Sequence, residues 1–409
     1  MNKVIKNPTL LLTLSAAFEY YDFIIYGLMS SYLGVLFFPS DDLFVGQLKA
    51  FSVFALGYIA RPLGGMIFGI LGDLGSRRAI FIRSNIILSI ATIIISILPN
   101  YNQIGVMATV GLVVLRIIQS LTFAAELPGA MSLIKDTVKE PSKSFSFVVS
   151  GAAIGSILGS FTLYLLERIF NKQEILDFAW RFPFILGAIL CLIAIILRRN
   201  LPEKPQNNVK DKLGLLSIIF PQYKNIVTFV TIISLSAYLI IMNIFFPSFL
   251  PEFYKYEIKD VYLAISISLI WAVIYAPSFA YFSNKIDKIT LLRVVIVMAI
   301  FLALVINFIL LRKGFSNLLI GLCIYQSIIT SLMVITFPLM AEIFPSQARF
   351  TLIAVCYNIT YLIMSFSPML VTKLASYWQS PFSLWFGLIL LSIFALANMA
   401  NLVAKPYQE

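Results

Sequence analysis

The middle of the chain reads RNLPEKP from Arg199 to Pro205 and stays basic and proline-interrupted as far as Lys224. Long apolar runs lie on both sides of this segment, which is the longest gap between any two of them. Six runs precede the gap and six follow it. The sequence therefore predicts two halves of equal span number, residues 1–198 and 225–409, joined by a linker at 199–224.

Each of the twelve apolar runs is long enough to cross a membrane as a helix. A transmembrane helix needs about 20 mostly apolar residues, whereas a barrel strand needs about 9–11 and alternates in polarity. The first run continues into a helical pattern with no small-residue cleavage site, so we expect a retained span and not a signal peptide. We predict an all-α membrane protein with twelve transmembrane helices near residues 8–37, 49–71, 80–98, 104–131, 145–167, 181–198, 224–250, 261–282, 290–311, 315–341, 350–372 and 382–404.

The composition agrees with a membrane protein. Of the 409 residues, 60% are hydrophobic and 12% are charged, whereas about 25% are charged in soluble domains. The net charge of +11 is spread over short gaps between apolar runs, which argues against nucleic acid binding. The chain has no histidine and only three cysteines, all inside apolar runs, so neither a disulfide framework nor a histidine metal site is expected. No nucleophile–base arrangement or phosphate-binding loop is present, and we expect no enzyme activity, metal or cofactor.

The distribution of lysine and arginine sets the orientation. An even number of spans places both termini on one side of the membrane. With the termini inside, the inner segments hold 19 Lys and Arg residues and the outer segments hold 9, while Arg61 and Arg116 lie within apolar runs. Because cytoplasmic loops carry the positive excess, both termini are predicted to be cytoplasmic, in a multi-pass protein of the cell inner membrane.

Five charged side chains lie inside the apolar runs of the first half. At 1.5 Å per residue, Glu19, Asp22, Arg61 and Arg116 fall near the membrane midplane, and the two acids share a helix face. Glu126 lies nearer the cytoplasmic end of the fourth span. A charge at the centre of a transmembrane helix costs at least about 2.5–3.5 kcal/mol. These groups are therefore candidate functional residues, and a structural ion pair between an arginine and an acid is the alternative.

The second half carries no charged residue deep inside its runs and offers polar and aromatic groups. Aromatic rings can surround a cation, although helix packing or an interfacial belt is the alternative interpretation. The second-half candidates are Tyr238, Asn243, Trp271, Tyr275, Tyr325, Gln326, Tyr357, Asn358 and Tyr361. We expect a substrate site between the halves, formed by Arg61, Arg116, Tyr20, Tyr26, Gln119, Tyr238, Asn243, Trp271, Tyr275, Tyr357 and Asn358.

A proton that is carried at neutral pH requires a carboxyl group here, because the chain has no histidine. A buried carboxyl group holds a proton more readily beside a like charge and less readily beside arginine. Glu19, Asp22 and Glu126 are the candidates for proton coupling. An arginine beside them could bind a substrate carboxylate in bidentate fashion and so release the acid to take up a proton.

Five motifs resemble the metabolite:H+ symporters of the major facilitator superfamily. The first span reads FEYYDFIIYG from Phe18 to Gly27, similar to the family pattern EWYDF..YG. Spans two and four add ARPLGG from Ala60, GDLGSRR from Gly72, which resembles GDRxGRR, and RIIQ from Arg116. The junction of spans ten and eleven reads EIFPSQARFT from Glu342, followed by Tyr357 and Asn358. Parallel six-span repeats are one transporter architecture, and the ends ELP after Ala125 and EIFP after Ala341 echo each other.

The resemblance implies two pseudo-symmetric six-helix bundles in the major facilitator fold. It also implies that Arg116 faces the central cavity and takes part in proton coupling. The gating residues that it implies lie at the end of span two and at the junction of spans ten and eleven: Asp73, Arg77, Arg78, Glu342 and Arg349. The family's antiporter signature, a glycine–proline pair in span five, is absent, which favours symport over drug efflux.

We therefore expect a proton-coupled symporter that imports a small carboxylate-bearing metabolite by alternating access. The resemblance suggests a zwitterion such as proline or betaine, or a dicarboxylate such as 2-oxoglutarate. The alternatives are an exporter or antiporter on the same fold and a transport-deficient membrane sensor. The expected partners are the small-molecule substrate, protons and membrane lipid, with no nucleic acid, and the expected state is a monomer.

Overall fold

The computed structural model describes residues 7–39, 43–201 and 217–399. Most of the predicted linker, including residues 202–216, lies outside these ranges, as do both ends of the chain. The first six spans are Pro8–Leu28 with Ser30–Phe37, Leu43–Leu74, Arg77–Ile97, Val106–Phe123 with Glu126–Thr137, Pro141–Ile169, and Arg181–Arg198. Spans 7 to 12 are Tyr223–Phe249, Ile258–Ser283, Lys288–Leu311, Phe315–Ile343, Arg349–Met364 with Ser367–Trp378, and Phe382–Asn398.

The prediction of twelve transmembrane helices is confirmed. Within the described residues, nine helical segments are long and apolar enough to cross a membrane, and Phe382–Asn398 is a shorter apolar helix. Spans 1 and 2 bring the number of transmembrane helices to twelve. Short helices lie at some junctions, at Tyr101–Ile104, Lys172–Glu174, Ile175–Ala179, Phe220–Gln222, Leu250–Tyr254 and Ser346–Ala348.

Polar caps start three spans at the same end of the bundle. The side chains of Asn7, Ser76 and Asp287 accept hydrogen bonds from the backbone N–H groups of Thr9, Ala79 and Thr290, at 3.0, 3.0 and 2.8 Å. Each bond satisfies a donor that the first helical turn cannot use. We call this end of the bundle the inner end, because the lysine and arginine count predicts that it faces the cytoplasm.

Small residues allow spans 1 and 5 to pack backbone to backbone. A side chain at Gly151 would lie 2.2 Å from the carbonyl oxygen of Thr13, and one at Gly155 would lie 2.1 Å from that of Ala17. No Cβ atom fits at either distance. The glycine spacing of four in span 5 thus allows the two helices to approach closely.

The two halves meet along two pairs of spans. Span 2 packs along span 11, and span 5 packs along span 8. The outer faces stay apolar, as Ile90 on span 3 and Phe301 on span 9 show with exposed fractions of 51% and 60%. An apolar outer surface suits contact with lipid. The five charged side chains inside the apolar runs of the first half are instead buried inside the bundle, where each charge is costly.

Candidate functional site

Arg61 lies between the halves inside a shell of aromatic rings. Its guanidinium carbon is 4.6 Å from the ring centre of Phe23, 4.4 Å from that of Tyr58 and 4.9 Å from that of Phe123. The residue is 2% exposed, and its Nη2 atom is buried without a hydrogen-bond partner. Within the described part of the chain, no carboxylate lies within ion-pair distance of Arg61. The alternative of a structural ion pair therefore does not describe this arginine.

Tyrosines of both halves close this shell, which we call the Arg61 cage and define as Arg61 with Tyr20, Phe23, Tyr58, Phe123, Tyr357 and Tyr361. Tyr58 of span 2 stacks on Tyr361 of span 11 with ring centres 6.3 Å apart. Tyr357 packs on Tyr361 at 4.5 Å and interacts with Tyr20 of span 1. The cage thus joins spans 1, 2 and 4 to span 11.

Asp22 lies beside the cage in a separate polar pocket. Its carboxylate accepts hydrogen bonds from Thr92 Oγ1 at 2.9 Å and from Gln119 Nε2 at 3.2 Å, and Gln119 also donates to Thr92 at 2.8 Å. Asp22, Phe23, Arg116 and Gln119 line a narrow crevice here. Arg116 donates to Gln119 Oε1 at 3.1 Å.

Tyr26 and Arg116 complete this pocket. The Arg116 guanidinium carbon lies 4.4 Å from the ring centre of Tyr26, and both residues are at most 2% exposed. Arg116 therefore faces the same crevice as Asp22. The pocket brings together four of the predicted residues, Tyr26, Asp22, Arg116 and Gln119.

Glu19 has different surroundings from Asp22, although the two acids are one helical turn apart. Glu19 forms an ion pair with Arg198 and accepts a hydrogen bond from Asn85 Nδ2 at 2.5 Å. Arg198 also pairs with Glu126. The lysine and arginine count assigned Arg198 to an inner segment, but its side chain is 0% exposed. The last residue of span 6 thus points back into the bundle, because two buried carboxylates face it.

The second-half candidates separate into two groups. Tyr357 belongs to the Arg61 cage, whereas Asn358 donates to the carbonyl oxygens of Ala124 and Ala354 at 2.9 and 2.8 Å and so holds span 11 against the break in span 4. Tyr361 also belongs to the Arg61 cage, and the other candidates lie within the second half. Tyr238 donates to the Leu384 carbonyl, Trp271 to Ser327, and Tyr275 bonds Ser331, while Asn243 is half-buried on span 7.

Asp73 joins the two halves at the inner end. Its carboxylate accepts hydrogen bonds from the backbone N–H groups of Phe350 and Thr351 at 3.3 and 2.7 Å and from the Thr351 hydroxyl at 2.9 Å. These amides belong to the first turn of Arg349–Met364. The carboxylate of span 2 therefore caps a helix of the opposite half, where the helix dipole favours a negative charge.

Arg77 and Arg349 extend this contact. Arg77 pairs with Asp73 at 2.6 Å and with Asp136 at 2.5 Å, and it donates to the backbone oxygen of Ser346. Arg349 of the second half pairs with the other oxygen of Asp136 at 2.9 Å. Four charged groups thus alternate in sign across the inner end. We call Asp73, Arg77, Asp136 and Arg349 the inner network.

Two of the predicted gating residues bond within their own halves. Arg78 donates to the backbone oxygen of Arg199, and Glu342 pairs with Lys288. These bonds connect the start of span 3 to the end of span 6, and span 10 to span 9. We propose a gating role for Asp73, Arg77 and Arg349, which cross between the halves.

We expect Asp73→Asn to slow turnover about tenfold while substrate affinity stays within a few-fold. Removing one partner of a buried charge network costs at least the roughly 1.4 kcal/mol that corresponds to a factor of ten. The inner ends of the two halves would then come together less readily in each transport cycle. The measurement is initial uptake into proteoliposomes alongside equilibrium binding. Glu140→Gln, which removes an exposed carboxylate at the same end, is the control, and weaker binding with normal turnover would contradict the gating role.

Sequence reasoning missed several partners in these sites. Arg198, Asn85, Thr92, Asp136 and Thr351 were not among the candidates. A signal existed for Asn85 and Thr92, which are polar residues two helical turns apart in an apolar run with Ser89 between them. Thr351 ends the motif that begins at Glu342, but nothing in the sequence pairs it with Asp73, and nothing marks Asp136, because their partners lie on spans that are distant in the chain.

Comparisons with known proteins agree with this architecture. The proton:xylose symporter XylE superposes with a TM-score of 0.75 over 98% of this chain and 96% of that one, at 16% identity. The human organic anion transporter MFSD10 gives a TM-score of 0.69 over 97% and 99%, at 12% identity. At these identities the likeness concerns the fold alone.

Relatives in sequence are named as transporters. A putative proline/betaine transporter of Staphylococcus aureus (strain COL) is 28% identical over 394 residues, 92% of this chain and 84% of that protein. The proline/betaine transporter of Escherichia coli (strain K12) is 28% identical over 384 residues, 88% and 76% of the two chains. The family model described as Major Facilitator Superfamily matches residues 12–312. With twelve spans, two halves and this match over most of its length, the chain belongs to the major facilitator superfamily, a family of membrane transporters and not of enzymes.

Proposed function

We propose that the chain is a proton-coupled symporter that imports a small zwitterion with a carboxylate group. The observation that carries the proposal is the Arg61 cage, in which a buried guanidinium has no carboxylate partner among the described residues. An unpaired charge in a low-dielectric site is costly. A substrate carboxylate would compensate it, and the planar guanidinium suits bidentate pairing.

The aromatic rings favour a zwitterion over a dicarboxylate. The faces of Tyr20, Tyr58 and Tyr357 carry negative electrostatic potential, which attracts a cationic group and disfavours a second carboxylate. Arg61 supplies one positive charge to the cage, which matches one substrate carboxylate. The names of the bacterial relatives, proline/betaine transporters, support the same substrate class.

Proton coupling in this proposal uses the carboxylates beside the cage. On span 1, Asp22 directly precedes the cage residue Phe23, and Glu19 directly precedes the cage residue Tyr20. A proton on such a carboxylate would be released toward the inner end, together with the substrate. The proposal includes cytoplasmic termini, location in the cell inner membrane, a monomeric state, and halves bounded by the linker at 199–224.

Gradient-driven uptake tests the proposal. Purified protein in proteoliposomes with an inward proton gradient should accumulate labelled proline or betaine above the external concentration, and a protonophore should abolish the accumulation. Protein-free liposomes are the control. Accumulation of 2-oxoglutarate with no uptake of either zwitterion would reverse the substrate class. Gradient-driven efflux in place of accumulation would establish an antiporter and overturn symport.

A further inference from the structure

Two acids and one arginine from three spans meet in a single buried cluster. The Nη2 atom of Arg198 contacts Oε1 of Glu19 and Oε2 of Glu126. The three residues are at most 3% exposed. Arg198 also donates to the Phe81 carbonyl at 2.7 Å and packs its guanidinium on the Phe81 ring. We call Glu19, Glu126 and Arg198 the lower cluster, since it lies nearer the inner end than Asp22.

The charges of the lower cluster do not balance without a proton. Two ionised carboxylates and one guanidinium leave a net charge of −1 in a water-excluded place, which is strongly unfavourable. Both acids contact the same nitrogen, so their carboxylates lie close together and repel each other when both are ionised. One proton on the pair makes the cluster neutral.

A second observation points to the same conclusion. The Oε1 atom of Glu126 is buried and has no hydrogen-bond partner, and Glu126 as a whole is only 3% exposed. A buried carboxylate oxygen without a donor carries the full cost of its lost hydration. A neutral carboxyl group costs less to bury than an ionised one, so one proton shared by Glu19 and Glu126 lowers the cost of burying this oxygen.

The lower cluster connects to Asp22 through polar side chains of span 3. Asn85 donates to Glu19 and Thr92 donates to Asp22, and Ser89 between them donates to the Asn85 backbone oxygen at 2.9 Å. These groups form a polar stripe along the face of span 3 that meets span 1. The stripe places polar groups of span 3 beside both acids of span 1.

A further titratable group lies beside the lower cluster on span 6, the helix that also carries Arg198. Cys191 on span 6 is buried and interacts electrostatically with Glu19, Asp22, Glu126 and Arg198. Span 3 presents Phe81 and Asn85 to the cluster. Span 5 meets span 1 through glycines. Asp22, one turn along span 1, is the remaining acid nearby.

We propose that the lower cluster is a second proton-binding site, in which Glu19 and Glu126 share one proton and Arg198 is the positioning residue that sets their proton affinity. This inference rests on the proposed symport. The proton arrives from the Asp22 side, and an O–H bond forms at one carboxylate oxygen. That bond breaks when the proton passes to water at the inner end, while Arg198 stays protonated throughout.

The test compares Arg198→Gln with the wild type in gradient-driven uptake and in counterflow. Without the guanidinium, the two carboxylates hold their proton more tightly, so release to the inside becomes limiting. We expect uptake to fall about tenfold at neutral internal pH and to recover when internal pH is raised by about two units. Arg199→Gln, which alters the adjacent exposed arginine, is the matched control and should behave like the wild type.

A double variant separates charge balance from folding. Glu126→Gln combined with Arg198→Gln leaves one carboxyl group, which is −1 when ionised and neutral when protonated, the same two states as the wild-type cluster. We therefore expect the double variant to regain most of the coupled uptake that Arg198→Gln loses. Arg198→Lys, which keeps the positive charge, should also retain part of the coupled uptake.

The outcomes distinguish this inference from the proposed function. Wild-type protein without gradient-driven uptake would overturn the symport itself. Normal wild-type uptake, combined with an unchanged internal-pH profile in Arg198→Gln, would overturn the proton role of the lower cluster alone. If Arg198→Gln also loses counterflow, rescue by the lysine or the double variant still supports the inference, and failure of both overturns it.

Discussion

Asp22→Asn is expected to abolish uphill accumulation of substrate while counterflow across proteoliposomes persists. The amide introduced by this substitution would keep an acceptor oxygen for Thr92 but could not exchange a proton. Counterflow requires only that the loaded carrier reorients, so it reports substrate binding and conformational change without net proton movement. Glu19→Gln is expected to give the same dissociation, because its carboxylate is part of the lower cluster. The measurement is labelled-substrate uptake with and without an inward proton gradient.

The control for these variants is Asp177→Asn, which alters an acid at the opposite end of the bundle that accepts a hydrogen bond from Gln173. It should accumulate substrate like the wild type. If Asp22→Asn and Glu19→Gln both accumulate substrate like the wild type, Glu126 is the remaining candidate for proton coupling. Glu126→Gln would then have to uncouple uptake from the gradient, and normal accumulation in all three variants would exclude proton coupling through these residues.

Arg61→Gln is expected to weaken binding of a carboxylate-bearing zwitterion by about 10- to 100-fold. A guanidinium forms two hydrogen bonds with one carboxylate, and a glutamine amide can replace one of them. The lost bond to a charged group contributes roughly 1.5–3 kcal/mol, which corresponds to about 10- to 100-fold in affinity. Arg61→Lys should recover only part of the loss, because an ammonium group lacks the bidentate geometry. Thermal shift and equilibrium binding with betaine and proline would measure the change.

Choline gives this prediction a second readout, since it is a betaine analogue without the carboxylate. Wild-type protein should discriminate against choline, because its cation would meet Arg61 without a compensating anion. Arg61→Gln should reduce the difference in binding affinity between betaine and choline. The control is Arg312→Gln, because Arg312 also packs on a phenylalanine ring, Phe308, at 4.4 Å but at the outer end. Unchanged betaine affinity in Arg61→Gln would remove Arg61 from the binding site.

The Arg61 cage and the inner network share the interface of spans 2 and 11. Asp73 and Arg61 are both on span 2, about three turns apart, and their partners Thr351 and Tyr361 are both on span 11. A rotation of one half against the other changes both sets of contacts together. Substrate binding at the cage, as proposed above, would therefore be connected directly to the inner end.

The sequence by itself determined the class of the protein and its large-scale division. Twelve apolar runs, a basic segment at their midpoint and a scarcity of charge are enough to specify a helical membrane protein with two six-span halves. The lipid environment imposes a helical structure on each span, because every backbone polar group in a span has to be hydrogen-bonded within its own helix. The same constraint made Glu19, Asp22, Arg61, Arg116 and Glu126 visible as candidates, since a charge in an apolar run needs a reason.

Only the tertiary structure decided how those charges are paired. Glu19 and Asp22 share a helix face, yet one meets Arg198 and the other meets Thr92 and Gln119. Arg61 meets aromatic rings and no described carboxylate. Periodicity along one helix gives the direction of a side chain, whereas its partner depends on the rotation and depth of neighbouring helices. Those are set by close contacts such as that of Gly155 with Ala17, which bring together residues far apart in the chain.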